Sequence, residues 1–414
     1  MKKIRSLTKN PMMLVLIFIL LFFTPTALYS PGQSRNVGVV VAVGVDQVQD
    51  DYQLSLLTFI PKPNQTFKES NSVVSGKGKT IAQALYNAQV ALGRRVGLSH
   101  VKITVLSQQL MQKDITGIVD YLSRLASLSS STLLVGTNGQ AKEVLSLSGK
   151  MVDEIGLDIE QVVGFNSEKL FVSETSLEDF YKGYYGKEKS SLIGYLPIDQ
   201  GQSENASVES AGQSGGGQSD GQGQASPNQE ETVKQPYLLN SGQALLIKDG
   251  KAVELLSLQQ MNAISILNEN SKGQIIPVQD AEIDGQKHNL TYRIREKKVR
   301  KTCSFENGVP VFMANIELGM ELMEIDGQHQ GLQVRSEFSK LTPEIIAKID
   351  NFLSVQFKDV LDILRQNSAD VLGVEKLFFS KNRKQYQNYL LTLQSQENFL
   401  SGVVFMLNFK IEPN

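Results

Sequence analysis

The string Ser75-Gly76-Lys77-Gly78-Lys79-Thr80 comes nearest to a ligand-binding signature, because Gly-Lys-Thr at a helix start is how a phosphate-binding P-loop ends. That loop also needs a glycine five residues before Gly78, where the chain wraps the phosphates, and Val73 stands there instead. The string is expected to be a Gly-rich turn feeding a well-capped helix. Nucleophile signatures are equally thin: no Gly-x-Ser-x-Gly occurs, and no Ser-x-x-Lys stands in a β-lactamase context. Only three histidines exist, His100, His288 and His329, and no two have the i, i+4 spacing that sets metal ligands on one helical face. His100, at the mouth of an expected strand, reads as a hydrogen-bonded structural histidine in preference to a general base. The carboxylate pairs Asp50-Asp51 and Glu230-Glu231 fall in turn and linker contexts, where solvation explains them.

Two further groups complete the chemical inventory. Cys303 is the single cysteine, which excludes an internal disulfide and any multi-cysteine metal site. It reads as an inert thiol on a strand, with an intermolecular bridge as the alternative. Arg293, Arg295, Lys297, Lys298, Arg300 and Lys301 would, by strand alternation, set several cations on one solvent face. A solvated face that discourages edge pairing is the plain reading, and contact with lipid headgroups or an acidic partner is the other. The chain has 41 basic and 43 acidic side chains, a formal net charge of −2, so no global field draws it to nucleic acid. These residues imply no catalytic group, no metal and no cofactor, and no enzyme is expected.

The elements that position these residues read as follows. Val37 to Val45 and Tyr52 to Ile60 form an expected hairpin around Asp50 and Asp51, ended by Pro61 and Pro63. Thr80 is an N-cap candidate with Gln83 at capping-box spacing, and Ile81, Ala84, Leu85, Ala88 and Leu92 follow at helical period. Val101 to Leu106 and Thr132 to Val135 are short strands, with a helix through Ile115, Ile118, Val119, Leu122 and Leu125 between them. Ser241 to Glu254 reads as a hairpin turning at Asp249-Gly250. Asn289 to Arg300 and Val309 to Ile325 are longer strands joined through Glu306-Asn307-Gly308. Thr342-Pro343-Glu344 starts a helix running to about Arg365, and Val403 to Ile411 closes the chain as a strand.

Lys2, Lys3, Arg5 and Lys9 precede an unbroken apolar run, Met12 to Phe23, in which Met12, Leu16 and Phe23 mark the membrane segment. The run matches a signal-peptide core, and with Thr24 to Tyr29 added it becomes just long enough to span a bilayer. Cleaved signal and uncleaved anchor both fit, and the positive flank predicts that everything after about Ser30 lies outside the cytoplasm. Gln200 to Asn228, dominated by Gly, Gln, Ser and Asn, reads as a flexible linker. The length of 414 residues suggests two or three domains.

Six islands, in order, resemble one family. They are Val40-Ala42-Val43-Gly44-Val45-Asp46; Gly76-Lys77-Gly78-Lys79-Thr80-Ile81 with Ala84-Leu85; Arg94-Arg95 with Leu98-Ser99-His100-Val101-Lys102; and Gly139-Gln140-Ala141-Lys142-Glu143-Val144-Leu145. Gly242-Gln243-Ala244-Leu245-Leu246-Ile247-Lys248-Asp249-Gly250-Lys251 and Ala369-Asp370-Val371-Leu372-Gly373 complete them. Their order and spacing resemble the Ger(x)C, or GerAC-type, family of C subunits of spore nutrient germinant receptors. The resemblance implies an α+β fold: three mixed α/β domains with largely antiparallel sheets flanked by helices, after an N-terminal hydrophobic segment. It also implies a non-catalytic extracytoplasmic subunit on the outer face of the spore's inner membrane, partnered with a membrane-embedded A subunit and a transporter-like B subunit. Gly44, Asp46, Gly78, Lys79, Thr80, His100, Lys102, Gly242, Asp370 and Gly373 are carried over as structural or interface positions.

One departure matters. Family members typically carry a lipidated cysteine after the signal segment and a Trp-Asp pair soon after it, whereas Ser30-Pro31-Gly32-Gln33-Ser34-Arg35 has neither. The weight therefore shifts to the apolar segment as the anchor. The expected divisions are 1–30, signal or anchor; 35–197, an N-terminal domain; 198–236, the linker; 237–283, a middle domain; and 284–414, a C-terminal domain. A small-ligand-binding module is the alternative function, with an envelope hydrolase third.

Overall fold

The computed structural model describes residues 37–59, 71–151, 175–198, 242–267, 273–283, 285–326, 341–393 and 399–413. The apolar segment with Met12, Leu16 and Phe23, and the Gly/Gln/Ser linker at 200–228, lie outside the described residues.

The first hairpin forms from β-branched runs: β1 (Val37–Val48) pairs antiparallel with β2 (Asp51–Phe59). Next to β2 lies β3 (Asn71–Gly78), so Gly76 and Gly78 are strand residues, which corrects the expected Gly-rich turn. The glycines are there for close approach of a helix, α1 (Ile81–Leu92), and not for turning. Thr80 caps α1 as expected, its Oγ1 accepting from the Gln83 N–H at 3.2 Å. The return bond of the box closes one residue early, with Gln83 Oε1 accepting from the Lys79 N–H at 2.9 Å.

Then come β4 (Arg95–Gly97), β5 (Ile103–Leu106), α2 (Gln108–Met111), α3 (Thr116–Ser123), β6 (Leu133–Gly136), α4 (Ala141–Met151), α5 (Leu177–Tyr185) and β7 (Ser190–Tyr195). With β8 (Ala244–Lys248) and β9 (Lys251–Leu256) they complete a sheet ordered β3-β2-β1-β5-β6-β7-β8-β9, with β4 also on β1. The flanks are antiparallel, as expected of the whole, but β1, β5, β6 and β7 run parallel. Parallel neighbours need crossovers, and the helices between these strands supply them. One face carries α1, α2, α3 and α5; the other carries α4 through Ala141, Val144 and Leu145.

The second sheet is ordered β10-β11-β12-β13: β10 (Ile275–Ile283), β11 (Gln286–Glu306), β12 (Val309–Ile325) and β13 (Val404–Pro413). Its Asn307-Gly308 corner has φ of 51° and 84°, and the β8–β9 corner Asp249-Gly250 has 49° and 80°, the left-handed pairs that both sequences predict. Between the sheets lies α6 (Leu258–Ile266). A long helix, α7 (Pro343–Gln366), is capped by Thr342 and lays Ile345, Ile349, Leu353, Phe357, Val360 and Leu364 on the second core. It is followed by α8 (Val374–Lys381) and α9 (Arg383–Leu390). Mixed α/β content with sheets flanked by helices is thus what the chain adopts. The stretch 237–283 gives β8 and β9 to the first sheet and β10 to the second.

One strand belongs to both cores. Leu245 and Ile247 of β8 join the core of the first sheet, while Ala244 and Leu246 point the other way into the core of the second. A strand buried on both faces reads as a continuous apolar run, as Ala244-Leu245-Leu246-Ile247 does. At about 1.5–3 kcal/mol for each fully buried leucine or isoleucine, β8 holds the two halves together.

On β11 a bulge between Ile294 and Glu296 makes Arg295 an extra residue and reverses the alternation after it. Leu290, Tyr292 and Ile294 face the core before it, and Lys297, Val299 and Cys303 share that face after it. This corrects the expected single cationic face: Lys297 turns inward and its Nζ donates to the Ser265 carbonyl at 2.9 Å, at the last turn of α6. Arg295 and Lys298 stay outward and pair with Glu321 and Glu317 of β12. Burial, and after it the charge of Lys301, pushes the Lys297 ammonium down to about 7 from an ordinary 10.5. The unfolded chain therefore holds a proton that the fold releases between those values, so stability rises with pH across that window. Lys297→Met is expected to flatten this rise by about 2 kcal/mol, allowing for solvent screening at a partly exposed site, in urea melts at neutral and alkaline pH.

Candidate functional site

The family-like positions fall at three seams where a helix meets a strand or loop. At the first, a Cβ on Gly76 would run into the backbone of α1 at Ala84, Asn87 and Ala88. One on Gly78 would lie 2.7 Å from the Ala84 nitrogen. Lys79 pairs with Asp51 at 2.7 Å on the surface, where such a pair adds little. Here Gly78, Lys79 and Thr80 together set the start of α1 against β3.

The second seam joins two islands distant in sequence. Gly44 and Asp46 lie on the face of β1 that meets α4, and a Cβ on Gly44 would stand 3.1 Å from Ala141 Cβ and Leu145 Cδ1. Asp46, only 1% exposed, accepts from the Ala141 N–H at 2.6 Å and the Lys142 N–H at 3.0 Å. A strand carboxylate thus caps a helix from across the fold, where N–H groups without intrahelical partners and the helix dipole favour negative charge. Burial pushes its carboxyl above the ordinary value of 3.8, against the pull of the two N–H donors.

The third seam repeats the device. Asp370 accepts from the N–H groups of Leu372 at 3.2 Å, Val374 at 3.1 Å and Glu375 at 2.6 Å, closing the start of α8. Gly373, at φ 70°, takes the left-handed conformation this turn requires. Burial, with Glu188 and Glu375 nearby, pushes the Asp370 carboxyl up to about 6.

The three seams do not converge on one centre. Gly242, at φ 62°, leads into β8, and Lys102 lends its backbone to β1 and β6, its N–H donating to the Val41 carbonyl and its carbonyl accepting from the Leu133 N–H. His100 is exposed in the loop before β5, with no side-chain hydrogen bond among the described residues, so the structural bond expected of it is not there. Cys303 is half-buried on β11 and receives the Asn382 side-chain N–H at its carbonyl and sulfur, while burial pushes its thiol up. Among the described residues no group of three or more His, Cys, Asp or Glu is placed to hold a metal. No described helix is long and apolar enough to cross a membrane.

A polar cleft of about 240 Å³ does form, between the turns at Lys187–Lys189 and Lys248-Asp249 on one side and Asp370 and Glu375 on the other. Sequence reasoning pointed to Asp370 but missed Glu188 and Glu375, since no local pattern connects residue 188 with 375.

Two family models match in chain order: the spore germination protein N-terminal domain over residues 33–198, and the spore germination B3/GerAC-like C-terminal domain over 241–390. The chain belongs to the GerAC-like spore germination family. The crystal structure of the GerBC protein has the same fold, with a TM-score of 0.51 and 16% identity, over 89% of this chain and 96% of that one. No curated protein sequence matches. Within the family frame, the three seams account for Gly44, Asp46, Gly78, Thr80, Asp370 and Gly373 as fold-building positions.

Proposed function

We propose that this protein is a non-catalytic, extracytoplasmic subunit of a spore germinant receptor that couples nutrient sensing to germination. Its partners are a membrane-embedded A subunit and a transporter-like B subunit, and its place is the outer face of the spore's inner membrane, held by the segment around Met12, Leu16 and Phe23. The observation that carries this reading is the match of both family halves, in order, on one chain. The seams support it, because the charged motif residues Asp46 and Asp370 spend their acceptor capacity on backbone N–H groups. The shared strand β8 supports the coupling role, since a load on either sheet reaches the other through one buried element. A second reading, a small-ligand module, has the polar cleft in its favour.

Deleting the gene is expected to abolish or strongly slow germination with at least one nutrient. A tagged chain is expected to co-purify with the A and B subunits from detergent-solubilised spore membranes. Normal germination with every nutrient in a strain without a paralogue, together with no co-purifying membrane subunit, contradicts the proposal.

A further inference from the structure

The cleft lies on the line where the two halves meet beyond β8. From the first half, Lys187 sets its Nζ 3.8 Å over the Phe379 ring and 4.9 Å over that of Tyr386. Next to it, Glu188 lines both the 240 Å³ cleft and a neighbouring cavity of about 350 Å³, and Asp370 of the second half lines the same two. Glu375 accepts from the Tyr386 hydroxyl on the far wall. Three carboxyl groups from two halves thus face one another across a small space.

The other charged groups around this space do not neutralise it. Lys248 donates to the Glu188 backbone carbonyl at 3.1 Å and lies 3.7 Å from Asp249. Lys189 and Asp249 line the cleft, and Asp179, Lys182 and Lys376 line the adjoining cavity. Lys182 is paired with Glu178. Lys187 and Lys248 favour ionised Glu375, yet burial and Glu188 outweigh them and its carboxyl is held above its ordinary value. Asp370, buried and facing both glutamates, is held at about 6 against an ordinary 3.8. A carboxyl that binds its proton more tightly when closed favours closure in acid and opening as the pH rises.

We propose that this cleft is a proton-operated clamp: protonated Glu188, Asp370 and Glu375 hold the 186–190 turn against α8, and their ionisation releases it. The shared core of β8 keeps the halves joined, so the motion is local to the turn, the Asp370 loop and α8. The clamp is independent of the receptor role and stands on the cleft alone.

Hydrogen exchange followed by mass spectrometry on the full chain, corrected for the intrinsic pH dependence of exchange, tests it. From the Asp370 values of 3.8 and about 6, peptides covering 183–192 and 370–381 are expected to open about tenfold more at about pH 7.5 than at about pH 5. Peptides of β1 and β2 serve as the control and are expected to show no change. Asp370→Asn alters a helix cap and could unfold α8, so Glu188→Gln and Glu375→Gln, which leave that cap in place, are the informative variants. Each is expected to lose much of the pH response. An equal response in the cleft and control peptides, or an undiminished response in the double variant, overturns the clamp.

Discussion

Replacing Gly76 by alanine is expected to destabilise the first half by about 3 to 4 kcal/mol and lower its melting temperature by roughly 10 °C. The reason is the partner the new Cβ would meet. The atoms at Ala84, Asn87 and Ala88 belong to the backbone of α1, so no rotamer change clears the space. The helix must lift, and the burial of Ile81, Ala84, Leu85 and Ala88 against the sheet is lost with it. Rescue by shrinking a neighbour, Ala84→Gly or Ala88→Gly, is expected to fail because the colliding atoms remain. Denaturant melts of the single and double variants check both statements, and a loss under about 1 kcal/mol would show that α1 does not sit so close.

The second large effect is at Asp46. Asp46→Ala removes the acceptor of two backbone N–H groups at the start of α4, leaving them buried without a partner, and is expected to cost about 3 kcal/mol. Asp46→Asn keeps one carbonyl oxygen in place and is expected to cost about half as much. The ordering of wild type, Asn and Ala in urea midpoints is the readout. Equal loss for Asn and Ala would mean that charge, and not the two hydrogen bonds, holds the seam.

The parts of the fold legible in the sequence are those with local causes. The corners at Asp249-Gly250 and Asn307-Gly308 need two left-handed residues, and Thr80 and Thr342 cap the helices that follow them. Non-local causes left no such mark. Gly76 and Gly78 look like a turn because glycine's usual use is conformational, whereas here its lack of a Cβ admits a helix. Lys297 breaks the expected alternation because the bulge at Arg295 is set by pairing with β12, which β11 alone does not encode. Asp46 was legible as a family position, but its work on α4 joins residues 46 and 141, and no window along the chain contains both. The cleft is the extreme case: Glu188 and Glu375 gain their meaning only once the two sheets are placed.

The account's central claim is that the motif residues build a coupling body and perform no chemistry. Spores carrying Gly76→Ala or Asp46→Ala in place of the native gene should be measured for the amount of this protein and for the rate of nutrient-triggered germination. The account predicts that germination falls in proportion to the protein lost, so that response per molecule stays constant. Asp46→Ala protein present at the native amount in spores that no longer respond would contradict it, because the carboxylate would then be acting on something other than the fold.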